Sequence, residues 1–165
     1  MINVPRTDLE YLKHAYTYAM LSPDPSTQNG AILVKDGDIV AAGINTFPIG
    51  VKQYPSRLER PIKYSYVEHA ERNALYDAAA CGVMTAGLTM YCPWFACTDC
   101  CRAIIQCGII RVVGHKLPAH EDNPRWKESI AVALEMFDEA GVEYGYVEGK
   151  IGGVEILMNG VLVQP

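Results

Sequence analysis

The stretch 88–107, LTMYCPWFACTDCCRAIIQC, contains the strand-to-helix step that decides the fold class. Leu88 to Cys92 form an apolar run that predicts a buried strand, and Thr98 to Cys107 repeat apolar residues at helical spacing. A helix from His69 to about Ala80 precedes this step, and a strand, a helix and a strand follow at 110–114, 124–140 and 142–147. Helices that alternate with strands predict parallel neighbours joined by right-handed crossovers.

The N-terminal part of the chain adds two antiparallel strands to this sheet. A first helix from about 8 to 21 starts with the capping-box pair Thr7 and Glu10. Two short apolar runs, 31–34 and 39–43, flank an Asp-Gly pair that suits a tight hairpin turn. The region 46–65 has neither helical nor strand periodicity, so we interpret it as a long loop.

The C-terminal residues predict a second hairpin, in which Val154 to Met158 and Val161 to Val163 flank Asn159-Gly160. We expect it to be buried against the sheet or a neighbouring subunit, because an exposed apolar strand edge invites aggregation. The sequence therefore predicts a three-layer α/β/α sandwich on a five-stranded mixed sheet. Residues 1–165 would form one domain, with a core at about 8–147 and a hairpin extension at 150–165.

Composition excludes several classes of protein. The 165 residues carry a net charge of −5 without a Lys/Arg-rich run, which argues against a nucleic-acid partner but leaves room for a single nucleotide. No apolar window is long enough to span a membrane, so the cytoplasm is the expected compartment. There the six cysteines would be metal ligands or core residues, and we expect Cys81, Cys101 and Cys107 to be small buried residues.

Four residues carry a pattern of metal chemistry: His69, Glu71, Cys97 and Cys100. Histidine and two cysteines are ligands that Zn²⁺ favours, and three protein ligands leave the fourth tetrahedral position for water, as in catalytic sites. The ligands fall at the starts of two predicted helices, whose partial positive charge stabilises thiolates and carboxylates. The alternatives are a closed structural zinc site, for which Cys92 and Cys101 are the nearest spare cysteines, and a set of buried residues without metal.

The combination of H-x-E and P-C-x-x-C is the signature of zinc-dependent nucleobase deaminases, and this chain has Ala96 in place of the proline. Further stretches make the chain resemble the deoxycytidylate (dCMP) deaminase family of the cytidine deaminase superfamily. These are Asp24-Pro25-Ser26-Thr27-Gln28, Gly43-Ile44-Asn45, Lys63-Tyr64, Tyr66-Val67, His69-Ala70-Glu71, Thr89-Met90-Tyr91, Cys97 to Cys100 and Ala103 to Gln106.

The resemblance implies zinc held by His69, Cys97 and Cys100, with Glu71 as the proton shuttle. It also implies deamination of a cytosine nucleotide, dCMP to dUMP or else dCTP, by a homo-oligomer (a hexamer, dimer or trimer) with dCTP and dTTP as effectors. The loop Asn45 to Gly50, which matches the family's effector loop, has Thr46 in place of the glycine that usually follows the asparagine. The candidate substrate contacts are Asn45 for the sugar, Ala70, Arg72, and the aromatic residues Trp94 and Phe95, which would otherwise pack in the core.

Two other functions fit the same motif. One is a deaminase of another nucleoside, a free base or an RNA adenosine, although the acidic chain lacks the basic surface that RNA requires. The other is a non-catalytic zinc-containing nucleotide sensor, which would have no need of Glu71. A nucleotide requires cations for its phosphate, and five lie in or beside the long loop: Lys52, Arg57, Arg60, Lys63 and Arg72.

Overall fold

The computed structural model describes residues 7–116 and 124–165. Its main sheet has five strands in the order β2-β1-β3-β4-β5. The pairs β1/β2 and β1/β3 are antiparallel, whereas β3, β4 and β5 run parallel, so the predicted mixed sheet is confirmed. The strands are β1 (Gly30–Lys35), β2 (Asp38–Ile44), β3 (Thr89–Tyr91), β4 (Arg111–His115) and β5 (Glu143–Val147).

Helices cover both faces of the sheet. The helices are α1 (Asp8–Ala19), α2 (Lys63–Tyr66), α3 (Ala70–Ala80), α4 (Thr98–Gln106) and α5 (Pro124–Ala140). Successive strand residues point to opposite faces. Leu33 accordingly packs in one cluster with residues of α3, α4 and α5, whereas Ile32 packs in a second cluster with α1. The three layers follow from this alternation.

The first turn of α3 packs in close contact with β2. Gly43 lies on β2, and a Cβ atom there would be 2.2 Å from the backbone nitrogen of Ala74. Any side chain at this position would push the helix off the strand. Glycine therefore lets α3 lie directly on the sheet, with its first turn at the sheet edge.

A hairpin of β6 (Ile156–Met158) and β7 (Val161–Val163) closes the chain. Ile156 and Met158 are buried in the cluster that contains α1, whereas Val161 and Leu162 are exposed. The expected burial of the hairpin is therefore confirmed for its inward face.

Three details differ from the sequence predictions. The region 46–65 is not loop throughout, because it contains a 3₁₀ turn at Pro55–Arg57 and the start of α2. The first helix ends at Ala19, ahead of Ser22 and Pro23. Cys81 is exposed at the end of α3, so its predicted burial was wrong. Within 7–116 and 124–165, no helix is long and apolar enough to cross a membrane.

Candidate active site and metal centre

Two helix starts bring three metal-ligating side chains together. His69 is the N-cap of α3, and Cys97 is the N-cap of α4 with Cys100 in its first turn. His69 Nδ1 lies 3.6 Å from Cys97 Sγ and 3.5 Å from Cys100 Sγ. Tetrahedral zinc with ordinary Zn–N and Zn–S bonds places such atoms roughly 3.6 Å apart. The three residues therefore fit a zinc ion, and in the described part of the chain they form the only such cluster.

The hydrogen bond between the two cysteines shifts their thiol pKa values in opposite directions. The hydrogen bond from Cys100 lowers the pKa of Cys97 to about 4, and the hydrogen bond to His69 adds to this effect. The same pairing, together with burial, raises the pKa of Cys100. One ligand is thus a ready thiolate, and metal binding would release the remaining proton from its neighbour.

Glu71 lies beside these ligands in the first turn of α3. Its side chain is buried, and burial is the main reason that its pKa rises to about 7. Its Oε2 atom is the only buried side-chain nitrogen or oxygen without a hydrogen-bond partner in the ranges that the structure describes. Since buried polar groups are normally paired, this oxygen is free for a water molecule or a ligand.

The geometry disfavours a closed structural zinc site. The two spare cysteines that could complete one, Cys92 and Cys101, do not join the cluster. Cys101 is engaged elsewhere, where its thiol donates to the carbonyl of Ala133 at 3.3 Å. Cys92 is completely buried, and burial raises its thiol pKa well above the ordinary value. Among the residues that the structure describes, none of the spare cysteines fills the fourth position, which suits an open catalytic site.

A pocket opens over this cluster. Its empty space amounts to about 620 Å³, a figure that includes the open solvent at its mouth. Of the predicted substrate contacts, Asn45, Trp94 and Phe95 line it, whereas Ala70 and Arg72 do not. The full lining is Asp24, Thr27, Asn29, Asn45, Arg60, Lys63, Tyr64, Val67, His69, Glu71, Trp94, Phe95, Cys97 and Trp126.

Asn45 has a bracing role as well as a place in the pocket wall. Its Nδ2 donates to the carbonyl of Thr27 at 3.2 Å, and its Oδ1 accepts from the backbone N–H of Ala70 at 3.0 Å. An amide nitrogen carries two hydrogens, so Asn45 keeps one for a further partner. Phe95 likewise serves two purposes, because its ring also packs 4.9 Å from the ring of Tyr146.

The five candidate cations have different environments. Arg57 lies over the rings of Tyr54 and Tyr66, and Arg72 pairs with Glu68 while lying 3.9 Å from Asp99. Lys52 is exposed and outside the pocket lining. Only Arg60 and Lys63 line the pocket.

Sequence reasoning missed two features of the pocket. Lys63 forms a buried ion pair with Asp24, with 2.6 Å between Nζ and Oδ2. Trp126, from α5, approaches the His69 ring with centroids 5.7 Å apart and an interplanar angle of 73°. Their residue types were visible, but no short-range pattern links Asp24 to Lys63 or Trp126 to His69.

A His-Cys-Cys metal centre beside a buried glutamate with one unpartnered oxygen, in the lining of one pocket, defines a zinc-dependent deaminase site. Comparison with protein families agrees, because residues 5–116 match the cytidine and deoxycytidylate deaminase zinc-binding region. The chain belongs to this family.

Individual relatives support the same assignment. The chain is 35% identical to the deoxycytidylate deaminase of Pongo abelii over 162 residues, which cover 94% of this chain and 87% of the relative. It is 40% identical over 124 residues to an uncharacterized deaminase in the luxG 3′ region of Aliivibrio fischeri, covering 74% and 80% of the two chains. The crystal structure of dCMP deaminase from cyanophage S-TIM5 with dCMP and dUMP superposes with a TM-score of 0.68 at 27% identity, covering 84% of this chain and 94% of that one.

Proposed function

We propose that this protein is a zinc-dependent deaminase that hydrolyses dCMP to dUMP and ammonia. The observation that carries the proposal is the free Oε2 of buried Glu71 beside His69, Cys97 and Cys100. The similarity to deoxycytidylate deaminases and to a structure that holds dCMP and dUMP supports the choice of substrate.

The proposed reaction replaces the C4–N bond of cytosine with a C4–O bond. Zinc held by His69, Cys97 and Cys100 would supply Lewis acidity and lower the pKa of a water molecule toward 7. Glu71 would take one proton from that water and give it to the ring nitrogen N3. It would then move the proton of the new C4 hydroxyl to the departing amine, so that the C4–N bond breaks, ammonia leaves and the hydroxyl becomes the carbonyl of uracil. Burial suits this role, because a pKa near neutrality lets one carboxyl group both accept and return protons.

The rest of the pocket would recognise the nucleotide. Trp94 and Trp126 line its wall and offer aromatic surface to the base, and Asn45 offers its second amide hydrogen to the sugar. Arg60 and Lys63 are the cations available to a 5′-phosphate. The Lys63 charge is balanced by Asp24, whereas Arg60 has no ion pair within the described ranges. Arg60 is therefore the stronger candidate for the phosphate.

A substrate panel tests this function. The zinc-loaded protein would be incubated with dCMP, dCTP, deoxycytidine, cytosine, guanine and an RNA adenosine, and the ammonia and ring products would be measured before and after chelation. We expect dUMP from dCMP, with the activity lost on chelation and restored by zinc. Deamination of another ring without conversion of a cytosine nucleotide would overturn the assignment, and binding without turnover would indicate a sensor.

The wider setting of the enzyme belongs to the same proposal. We propose a single catalytic domain over 1–165, which the packing of β6 on α1 supports. All six cysteines are free, which suits a reducing compartment such as the cytoplasm. A homo-oligomer with dCTP and dTTP as effectors follows from the family resemblance, and size measurement with and without these nucleotides would test it.

A further inference from the structure

One wall of the pocket comes from the 24–29 loop, the connection between α1 and β1. Asp24, Thr27 and Asn29 of this loop line the pocket. Within the loop, Asp24 Oδ1 accepts the backbone N–H groups of Ser26 at 2.8 Å and Thr27 at 3.2 Å. Beyond it, Asn45 holds the carbonyl of Thr27 from the pocket side. These contacts fix the loop internally and hold it against Asn45.

The C-terminal hairpin forms hydrogen bonds with residues 26–28 of the same loop. Gln28 and Leu157 form a reciprocal pair, in which the Gln28 N–H donates to the Leu157 carbonyl at 2.8 Å and the Leu157 N–H donates to Gln28 Oε1 at 2.9 Å. The turn between β6 and β7 adds two bonds. The Gly160 N–H donates to the Ser26 carbonyl at 2.7 Å, and the Asn159 N–H donates to Thr27 Oγ1 at 3.3 Å.

The hairpin is anchored firmly enough to act as a support. Ile156 and Met158 are buried against the cluster that contains α1. The backbone N–H groups of Ile151 and Gly152 both donate to the Pro165 carbonyl, at 3.1 and 2.9 Å. The strand that meets Gln28 is therefore fixed at its core face, and the segments before and after the hairpin are tied together.

We infer that the C-terminal hairpin positions the 24–29 loop and thereby sets nucleotide affinity, with Gln28 as the residue that transmits its support to the pocket wall. The substrate class in this inference rests on the proposed function. The hairpin lies outside residues 5–116, the region that matches the family model. Its contacts reach the loop and not the metal ligands, so it should affect binding more than chemistry.

Gln28 allows a matched test. Gln28→Met keeps the length of the side chain but removes its two side-chain hydrogen bonds. These are the bond that Oε1 accepts from the Leu157 N–H and the bond that Nε2 donates to the Ser22 carbonyl at 3.1 Å. Gln28→Glu also loses the bond to Ser22 but keeps an oxygen for the Leu157 N–H. The difference between the two variants isolates the contact with the hairpin. Leu162→Ser, on the exposed strand, serves as a control for general effects on the hairpin.

The measurements are zinc content, kcat and KM for dCMP, and hydrogen exchange of the ligand-free proteins. In Gln28→Met we expect about tenfold faster exchange in the 24–29 loop and a KM raised by about tenfold, the weight of one or two net hydrogen bonds. We expect kcat to stay within about twofold and the zinc content to be unchanged, because the metal ligands are untouched. Leu162→Ser should resemble the wild type, and Gln28→Glu, which loses only the bond to Ser22, should lie between the wild type and Gln28→Met.

Two results would overturn the inference. One is unchanged exchange in the loop and unchanged KM in Gln28→Met, and the other is an equal rise of KM in Gln28→Glu. Failure of the proposed function gives a different result, namely no turnover of dCMP by the wild type. In that case the exchange of the ligand-free proteins still decides whether the hairpin supports the loop.

Discussion

Replacing Glu71 by Gln removes the carboxylate while keeping the shape of the side chain. Since Oε2 of Glu71 has no hydrogen-bond partner in the described structure, the substitution breaks no contact at that atom. Each lost proton transfer typically costs 10²–10⁴-fold in rate, and Glu71 serves more than one such step. We therefore expect kcat on dCMP to fall by at least about a thousandfold, with zinc content near one ion per chain.

The stability of the zinc-free protein gives this prediction an independent check. Burial raises the Glu71 pKa from 4.5 to about 7, which corresponds to roughly 3 kcal/mol of opposition to the carboxylate. Because the folded state holds this proton more tightly, wild-type stability falls as the pH rises from about 4.5 to about 7. Glutamine cannot ionise, so the zinc-free variant should unfold at an equal or higher temperature at pH values above that range.

The assays for Glu71→Gln are dUMP formation, elemental analysis of zinc and thermal unfolding of the metal-free protein. The matched control is Glu139→Gln, which makes the same chemical change at an exposed position on α5. Turnover within about tenfold of the wild type would remove Glu71 from the mechanism. Loss of zinc together with activity would mean that Glu71 supports the metal site rather than proton transfer.

Three further substitutions test the surroundings of the site. Lys63→Met leaves the buried Asp24 carboxylate without its cation, so denaturant unfolding should show a loss of about 3–5 kcal/mol that Lys63→Met/Asp24→Asn partly restores, and a negligible loss would contradict the pairing. Arg72→Met removes the cation between the two ligand-bearing helices, so chelator competition should show about tenfold weaker zinc binding, and unchanged affinity would argue against this role. The hydrogen bond from Arg111 lowers the Asp8 pKa, so Asp8→Asn should lower Tm at neutral pH, and this difference should vanish as the pH falls through the lowered pKa; a difference independent of pH would refute it.

The sequence predicted the features that depend on local patterns. The apolar runs at 88–92 and 110–114 anticipated β3 and β4 to within one or two residues, and the alternation of helices with strands anticipated their parallel order. The ligand set could be predicted because the H-x-E and C-x-x-C patterns name His69, Cys97 and Cys100, and both patterns fall at predicted helix starts. The structure then places all three within 4.8 Å of one another.

What the sequence could not predict depends on contacts between distant residues. Asp24 and Lys63 carry charged side chains, which are ordinarily exposed to solvent. Tertiary packing nevertheless buries both. The short helix α2 was missed because one helical turn leaves no periodicity to detect. Gln28 meets Leu157 only after the hairpin folds onto α1, so no local pattern could indicate that contact.

The most direct test of a nucleotide deaminase is the ratio of kcat/KM for dCMP to kcat/KM for deoxycytidine, measured on one zinc-loaded preparation. A single net charged hydrogen bond to the 5′-phosphate contributes about 1.5 kcal/mol, so the ratio should be at least roughly tenfold. Arg60→Met should reduce this ratio while leaving the efficiency on deoxycytidine unchanged, since Arg60 lines the pocket but is not one of the metal ligands. Equal efficiency on the nucleoside and the nucleotide would contradict the assignment and place the enzyme among the nucleoside deaminases.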